Sequence, residues 1–268
     1  MNISRSLNIL ILLCVSVIIA SEAGGSTRMV TDRLDRVVEV PDNPKRLIAL
    51  APSITEIIFA LGRENRLAGV TRFSDYPPEA SDLPKVGSYV HLDLEKIASL
   101  KPDLCLAIKD GNPIAVIKRL ESLKIPVFAV DPRNLEDLFK SVREIGNLLD
   151  AVPEADRLIR DTRKRVENVK AKVARATNRP RVFFQIGISP IVSVGTETFI
   201  HELITLAGGI NITGGSMDYP RFTREEVISL SPDVFIVSTM AREGGYEVIK
   251  ARWRSEERRV GKECATGC

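Results

Sequence analysis

A phrase that occurs twice restricts the fold of this chain more than any other feature. Glu95-Lys96-Ile97-Ala98-Ser99-Leu100-Lys101-Pro102-Asp103-Leu104 returns without a gap as Glu225-Glu226-Val227-Ile228-Ser229-Leu230-Ser231-Pro232-Asp233-Val234. An apolar run follows each copy, Leu104 to Ile108 and Val234 to Val237. The phrase predicts a short helix opened by a carboxylate, a Pro-Asp turn that ends it, and a buried parallel strand. The copies lie too far apart to be neighbouring turns of a solenoid. They predict two similar α/β lobes, each presenting one glutamate at a helix start.

The rest of the chain alternates in the same way. Residues 46–50 read as a strand, and Ser53 to Glu56 has the spacing of a capping box that opens a helix through Leu61. Strands are predicted at 67–70 and 127–130, and helices at 114–123 and 135–149. This alternation implies a mostly parallel sheet with helices on both faces. Residues 152–176 differ: they contain no glycine, are dense in charge, and space Leu158, Val166, Val169 and Val173 helically. They predict a rod of roughly 35 Å connecting two lobes. The second lobe restarts at residues 181–185, with a helix at 199–206 closed by Gly208-Gly209 and a capping box at Thr223 and Glu226. The expected organisation is a 24–150 lobe, a 151–178 bridging helix and a 179–253 lobe.

Both ends of the sequence are set apart from this core. Arg5 precedes an apolar run from Leu7 to Ala20, and Ser21-Glu22-Ala23 offers a small-x-small cleavage site. Residues 1–23 therefore read as a secretory signal peptide, which directs the protein to the periplasm. Bulky Leu13 makes Cys14 a poor lipidation site. Residues 254–264, RSEERRVGKEC, resemble the translation of a sequencing-library adapter. Residues 254–268 are expected to lie outside the fold, which leaves the second lobe without a final strand and helix. With Cys14 in the signal and Cys264 and Cys268 in the tail, Cys105 reads as a small core side chain and no disulfide framework is expected.

The formal net charge of +3, with no basic block interleaved with aromatics, argues against a nucleic-acid partner. The sequence contains no G-x-S-x-G elbow, no phosphate-binding loop and no dinucleotide fingerprint. Two histidines, His91 and His201, are too few for a His-rich metal site, so neither a metal nor a cofactor is expected. His201 begins a helix and reads as a solvated polar side chain, whereas His91 lies in a loop beside Tyr89 and is a candidate ligand contact. Only 5% of residues are aromatic, so the loop positions of Phe73, Tyr76, Tyr89 and Tyr219 stand out. They fall between elements, where ligands enter open α/β sheets. Glu95 and Glu225 are either first-turn carboxylates favoured by the helix dipole or a pair that grips a basic partner, one acid from each lobe.

Several motifs carry a family resemblance. Phe73-Ser74-Asp75-Tyr76-Pro77-Pro78, Leu94-Glu95-Lys96-Ile97, Leu100-Lys101-Pro102-Asp103-Leu104, Phe184-Gln185-Ile186-Gly187 and Thr223-Arg224-Glu225-Glu226-Val227 resemble the periplasmic vitamin B12-binding proteins of ABC importers. These belong to a wider group that binds cobalamin, haem and iron-siderophores. The resemblance runs from about Arg46 to Trp253. It implies two Rossmann-like lobes bridged by one long helix and a monomeric protein without covalent chemistry. It implies a corrinoid held between the lobes, with Phe73, Tyr89 and Tyr219 as aromatic contacts; Asp75 and His91, on the same loops, are further candidate contacts. Two further aromatic positions of the family are Ile108 and Ile186 here. Glu95 and Glu225 fall on the glutamates that meet arginines of the permease subunits. Two rival readings remain. A haem or siderophore carrier would draw on Arg72, Lys109 and Arg221, and a secreted enzyme on Asp75, His91 and Asp110.

Overall fold

In a computed structural model, residues 26–238, 249–251 and 253 are described. The chain opens with an antiparallel hairpin, β1 (Thr27–Thr31) and β2 (Val37–Pro41), which the sequence patterning does not announce. Asp32, 3% exposed in its turn, accepts from the backbone N–H groups of Leu34 and Arg36 and from that of Ala129, so one carboxylate fastens the hairpin to the first lobe.

The first lobe follows as β3 (Leu47–Ala49), α1 (Pro52–Ala60), β4 (Leu67–Val70), α2 (Leu94–Ser99), β5 (Leu104–Ile108), α3 (Ile114–Ser122), β6 (Val127–Val130) and α4 (Leu135–Leu148). Its four strands lie parallel in the order β4-β3-β5-β6. Every residue of β3 and β6 is buried, as are Leu104 to Ala107 of β5. Such runs without alternation belong to a parallel sheet covered on both faces. Cys105 is among them, and burial pushes its thiol pKa up, as befits an inert core side chain.

The connector is α5 (Val152–Val173), on which Ala155 is the one fully buried residue. The second lobe comprises β7 (Arg181–Gln185), β8 (Gly187–Ile188), β9 (Ile191–Val192), α6 (Phe199–Leu206), β10 (Ile210–Asn211), β11 (Arg221–Phe222), α7 (Arg224–Ser229) and β12 (Val234–Val237). A parallel sheet runs β10-β7-β12, and a small antiparallel sheet runs β11-β9-β8. Phe183 forms its core with Phe222 and Phe235, whose ring centroids lie 5.7 and 5.1 Å away. Trp253 packs on Phe235 at 4.6 Å, and its indole N–H donates to Gln185 at 3.0 Å. Residues 249–251 and 253 are helical, and the signal and the tail lie outside the described residues.

One sequence expectation is corrected. The Ser53–Glu56 capping box does not form, because α1 begins two residues earlier. Ala51 is the N-cap and Pro52 takes the first position, where its preset φ and missing N–H are tolerated. The α2 helix is capped by Asp93, whose side chain accepts from Lys96 N–H at 2.9 Å, and Glu95 lies in its first turn as expected. The box at Thr223 and Glu226 forms as expected.

The repeated phrase builds the same device in both lobes. Asp103 accepts from the backbone N–H groups of Lys45 and Arg46 at 2.6 and 3.0 Å, while the Arg46 guanidinium donates to Leu100 O at 2.7 Å. In the second copy Asp233 accepts from Arg181 N–H at 2.8 Å, and the Arg181 guanidinium donates to Leu230 O at 2.7 Å. An arginine on the neighbouring strand thus caps the carbonyl end of the helix, and the Pro-Asp turn holds the start of that strand. Lys101 and Ser231, the matching residues before each proline, both adopt positive φ, 49° and 46°. Ser99 and Ser229 return their hydroxyls to the carbonyls of Lys96 and Glu226. Ile97 and Val227 are buried.

Candidate functional site

Glu95 and Glu225 are what this device leaves unexplained. Both side chains are exposed, and among the described residues neither makes an ion pair or a hydrogen bond. The last carbonyls of the two helices, Leu100 O and Leu230 O, are held by Arg46 and Arg181 at the amino ends of β3 and β7, so both helices end at the amino ends of the strands. The helix starts, and with them Glu95 and Glu225, therefore sit at the carboxyl ends of the strands, one per lobe.

The same strand ends carry the loops of the cleft. A cavity of about 700 Å³ lies between the lobes. The first lobe contributes Glu56 and Ile57 of α1, Ile108 and Asp110 after β5, Asp131 to Arg133 after β6, and Leu138, Phe139 and Val142 of α4. The connector adds Leu158, Ile159, Thr162 and Arg165, and the second lobe adds Glu197 to Ile200 and Tyr219. The walls are chiefly apolar, with a few polar groups.

The lobes touch across this cavity. Tyr219 donates its phenol to Asp110 of the opposite lobe. Burial first, and then that hydrogen bond, push the Tyr219 pKa up. Arg133 pairs with Asp131 at 3.1 Å in its own lobe and with Asp218 at 3.5 Å in the other. The hydrogen bond to Asp131 raises the Arg133 pKa. The backbone N–H of Leu135 donates to Glu202 of α6 at 2.6 Å. Asp131 also holds Lys109 at 3.0 Å through the same oxygen, Oδ2. Its Oδ1 is buried and finds no hydrogen-bond partner among the described residues, which makes it an acceptor awaiting a donor. Glu56 has its pKa raised by burial and then by the nearby Asp75 charge.

The expected ligand residues divide. Tyr219 lines the cavity; Phe73, Asp75, Tyr89 and His91 stand outside its lining, on loops at the carboxyl ends of the first-lobe strands. Phe73 is half-buried with the Arg72 guanidinium 4.9 Å from its ring centre. Asp75 is exposed, and the lining member of its loop is Tyr76. The neighbouring Ser74 is structural: its hydroxyl meets those of Thr55 and Thr71 at 3.0 and 2.9 Å. Tyr89 and Val90 form the tip of a turn in which Ser88 N–H donates to His91 O and His91 N–H to Ser88 Oγ. The His91 imidazole is exposed and bonds to neither Asp75 nor Asp110 among the described residues, so the three do not assemble as a catalytic group. His201 is more than a solvated side chain: its Nδ1 lies 3.1 Å from Asn211 Nδ2 and accepts from it. Sequence reasoning missed Asn112, Asp131, Arg133 and Asp218. Gly111-Asn112-Pro113 directly after a strand was the available signal for the first of these.

Two α/β lobes joined by one long helix, with a cavity between them, are the architecture of a periplasmic substrate-binding protein. A family profile described as periplasmic binding protein matches residues 47–255, and the chain belongs to that family. It is 32% identical to a vitamin B12-binding protein of Vibrio parahaemolyticus, across 79% of this chain and 76% of the relative. A vitamin B12-binding protein of Pectobacterium atrosepticum is 34% identical, across 72% and 71% of the two chains. Among solved structures, the periplasmic vitamin B12 binding protein of Vibrio cholerae superposes with a TM-score of 0.70 at 27% identity, covering 81% of this chain and 84% of that one. A periplasmic haem-binding protein of Pseudomonas aeruginosa gives 0.69 at 25% identity, covering 75% and 74%. No helix of the described residues is long and apolar enough to cross a membrane.

Proposed function

We propose that this protein captures a cobalamin-like corrinoid between its lobes in the periplasm and delivers it to the permease subunits of an ABC importer. The observation that carries this reading is the interlobe cavity, broad, chiefly apolar and rimmed by aromatic loops, on a chain whose relatives are named for vitamin B12. A corrin presents a wide apolar ring with amide side chains. The apolar walls suit the ring, and the unpaired Asp131 Oδ1 suits an amide N–H. Tyr219 is an aromatic wall, and Phe73, Asp75, Tyr89 and His91 stand on the loops beside the cavity, where a bound corrinoid would extend to them. The corrinoid is cargo, and no cofactor or covalent step is invoked. Residues 1–23 act as the export signal, and the protein works as a monomer.

The rival carrier reading is less well supported. Lys109 is committed to Asp131 and the Arg72 guanidinium covers Phe73, while Glu56, Asp110 and Asp131 add acidic lining that disfavours a polyanionic ligand. Calorimetric titration with cyanocobalamin and, separately, haem tests the choice. One corrinoid per protein is expected, and stoichiometric haem binding without corrinoid binding overturns the reading.

Delivery rests on Glu95 and Glu225, exposed, without a partner among the described residues, and one per lobe. Changing both to alanine is expected to leave ligand affinity and melting temperature nearly unchanged and to weaken the importer complex. Removing either carboxylate costs the complex about 2–5 kcal/mol if its pairing with an arginine is desolvated at the interface. Normal corrinoid uptake by importer-loaded vesicles with the double variant would assign the glutamates to helix-dipole stabilisation alone.

A further inference from the structure

We propose that the three consecutive residues Asp110-Gly111-Asn112 position two tyrosines, Tyr89 on a loop beside the cleft in one lobe and Tyr219 lining the cleft from the other. The inference rests on the reading of those tyrosines as ligand contacts and adds residues that touch them rather than the ligand. The turn leaves the carboxyl end of β5, so it stands where the two lobes face each other.

Each of the three acts differently. Asn112 is 3% exposed, and its amide is used in one orientation: Oδ1 accepts from Ile108 N–H at 2.8 Å, and Nδ2 donates to Leu50 O at 2.8 Å and Tyr89 O at 2.7 Å. The flipped amide would set its NH2 against an N–H and its oxygen against two carbonyls. The side chain therefore ties the Tyr89 turn to the ends of two sheet strands. Gly111 provides the seat for the ring. A Cβ there would lie 2.9 Å from Tyr89 Cδ2 and 3.0 Å from Cε2, at a backbone φ of 152°. Any side chain pushes the ring off this position. Asp110 reaches the other way and accepts the Tyr219 phenol across the cavity. Tyr89 is thus fixed through its backbone and its ring face, and Tyr219 through its hydroxyl.

Double-variant titrations with cyanocobalamin test this. Removing a buried, fully used amide should weaken binding on the order of tenfold in Asn112→Ala. Gly111→Ala should lose at least as much, and Asp110→Ala about fivefold. In a Tyr89→Ala background the Asn112 and Gly111 effects should shrink to about twofold or less, and in Tyr219→Phe the Asp110 effect should do the same. Asp110→Asn, which keeps an acceptor oxygen, should recover most of the affinity. Equal fold-losses with and without the tyrosines would overturn the proposal.

A second measurement needs no ligand. In protein carrying isotope-labelled tyrosine, the chain's four tyrosines give ring resonances assignable by single Tyr→Phe changes. Asn112→Ala and Gly111→Ala should shift Tyr89 alone, and Asp110→Ala should shift Tyr219 alone. Gly111→Ala keeps the Asn112 hydrogen bonds and serves if Asn112→Ala melts too low. Unmoved resonances sink the proposal even if cyanocobalamin is not the ligand. Shifted resonances with no corrinoid binding by the unaltered protein would instead leave the turn standing and sink the corrinoid reading.

Discussion

The two copies of the repeated phrase start strands with different surroundings. Leu104 opens β5 fully buried between β3 and β6, whereas Val234 opens β12 at 39% exposure, and among the described residues β12 is the edge of its sheet. The turn, the arginine cap and the positive φ before proline are the same in both. A short phrase therefore encodes a local junction, while burial is set by how many layers the surrounding chain stacks against it. The sharpest way to break the comparison is to truncate both side chains. Leu104→Ala should cost about 2–5 kcal/mol through a cavity in a closed sheet. Val234→Ala should cost less than about 1 kcal/mol because half-open surface collapses around it. Equal shifts in urea unfolding would show that the second sheet is as closed as the first.

The next contrast lies in the junction itself. Asp103 accepts two backbone N–H groups and is half-buried; Asp233 accepts one and is exposed. Asp103→Ala should lose about 1.5–3 kcal/mol, and Asp233→Ala about half of that. A larger loss at Asp233 in thermal melts would reverse the ranking of the two lobes.

A position where the lobes should respond alike sharpens the comparison from the other side. Lys101 and Ser231 hold φ near 49° and 46°, where a side chain is strained. Lys101→Gly and Ser231→Gly should each stabilise by about 0.5 kcal/mol, the relieved strain less the added freedom of the unfolded chain. Stabilisation at one site only would mean that the junctions differ in more than their surroundings.

These differences also explain what was legible in the sequence. The β-α alternation, the connector and the second capping box were readable because period, charge and cap residues act locally. The first capping box was misread because Ser53 and Pro52 compete for the helix start, and Pro at the first position decided it. The β1–β2 hairpin was invisible because its anchor, Asp32, acts through a hydrogen bond with Ala129 far along the chain. The cleft was half legible. Glu95 and Glu225 stand out once everything else in the repeat has a structural role, and Tyr219 was found as a loop aromatic. Asn112 and Arg133 were missed because their importance lies in carbonyls and acids brought close only by folding.

The smallest contrast is at the helix starts, where the copies diverge in chemistry. Lys96 and Glu226 occupy the same place in the phrase. In the second lobe Glu226 accepts from Thr223 N–H at 2.7 Å and from its hydroxyl at 3.0 Å, while Thr223 Oγ1 accepts from Glu226 N–H. The backbone hydrogen bond first, and the hydroxyl second, lower the Glu226 pKa below its ordinary 4.5. The unfolded chain therefore binds this proton more readily than the folded one. The cap's stabilisation is complete above the unfolded value and is lost as pH falls through the lowered folded value. Glu226→Gln keeps an acceptor oxygen but cannot titrate, so it should flatten the acid limb of the second lobe's stability curve slightly. Lys96→Gln at the matching place in the first lobe should leave the acid limb as it was, because its cap is the Asp93 side chain. Unfolding midpoints from neutral pH down through 4.5 and below measure both. An identical acid limb in the unaltered protein and Glu226→Gln would show that the capping box is open in solution, and the two lobes would then start their helices in the same way.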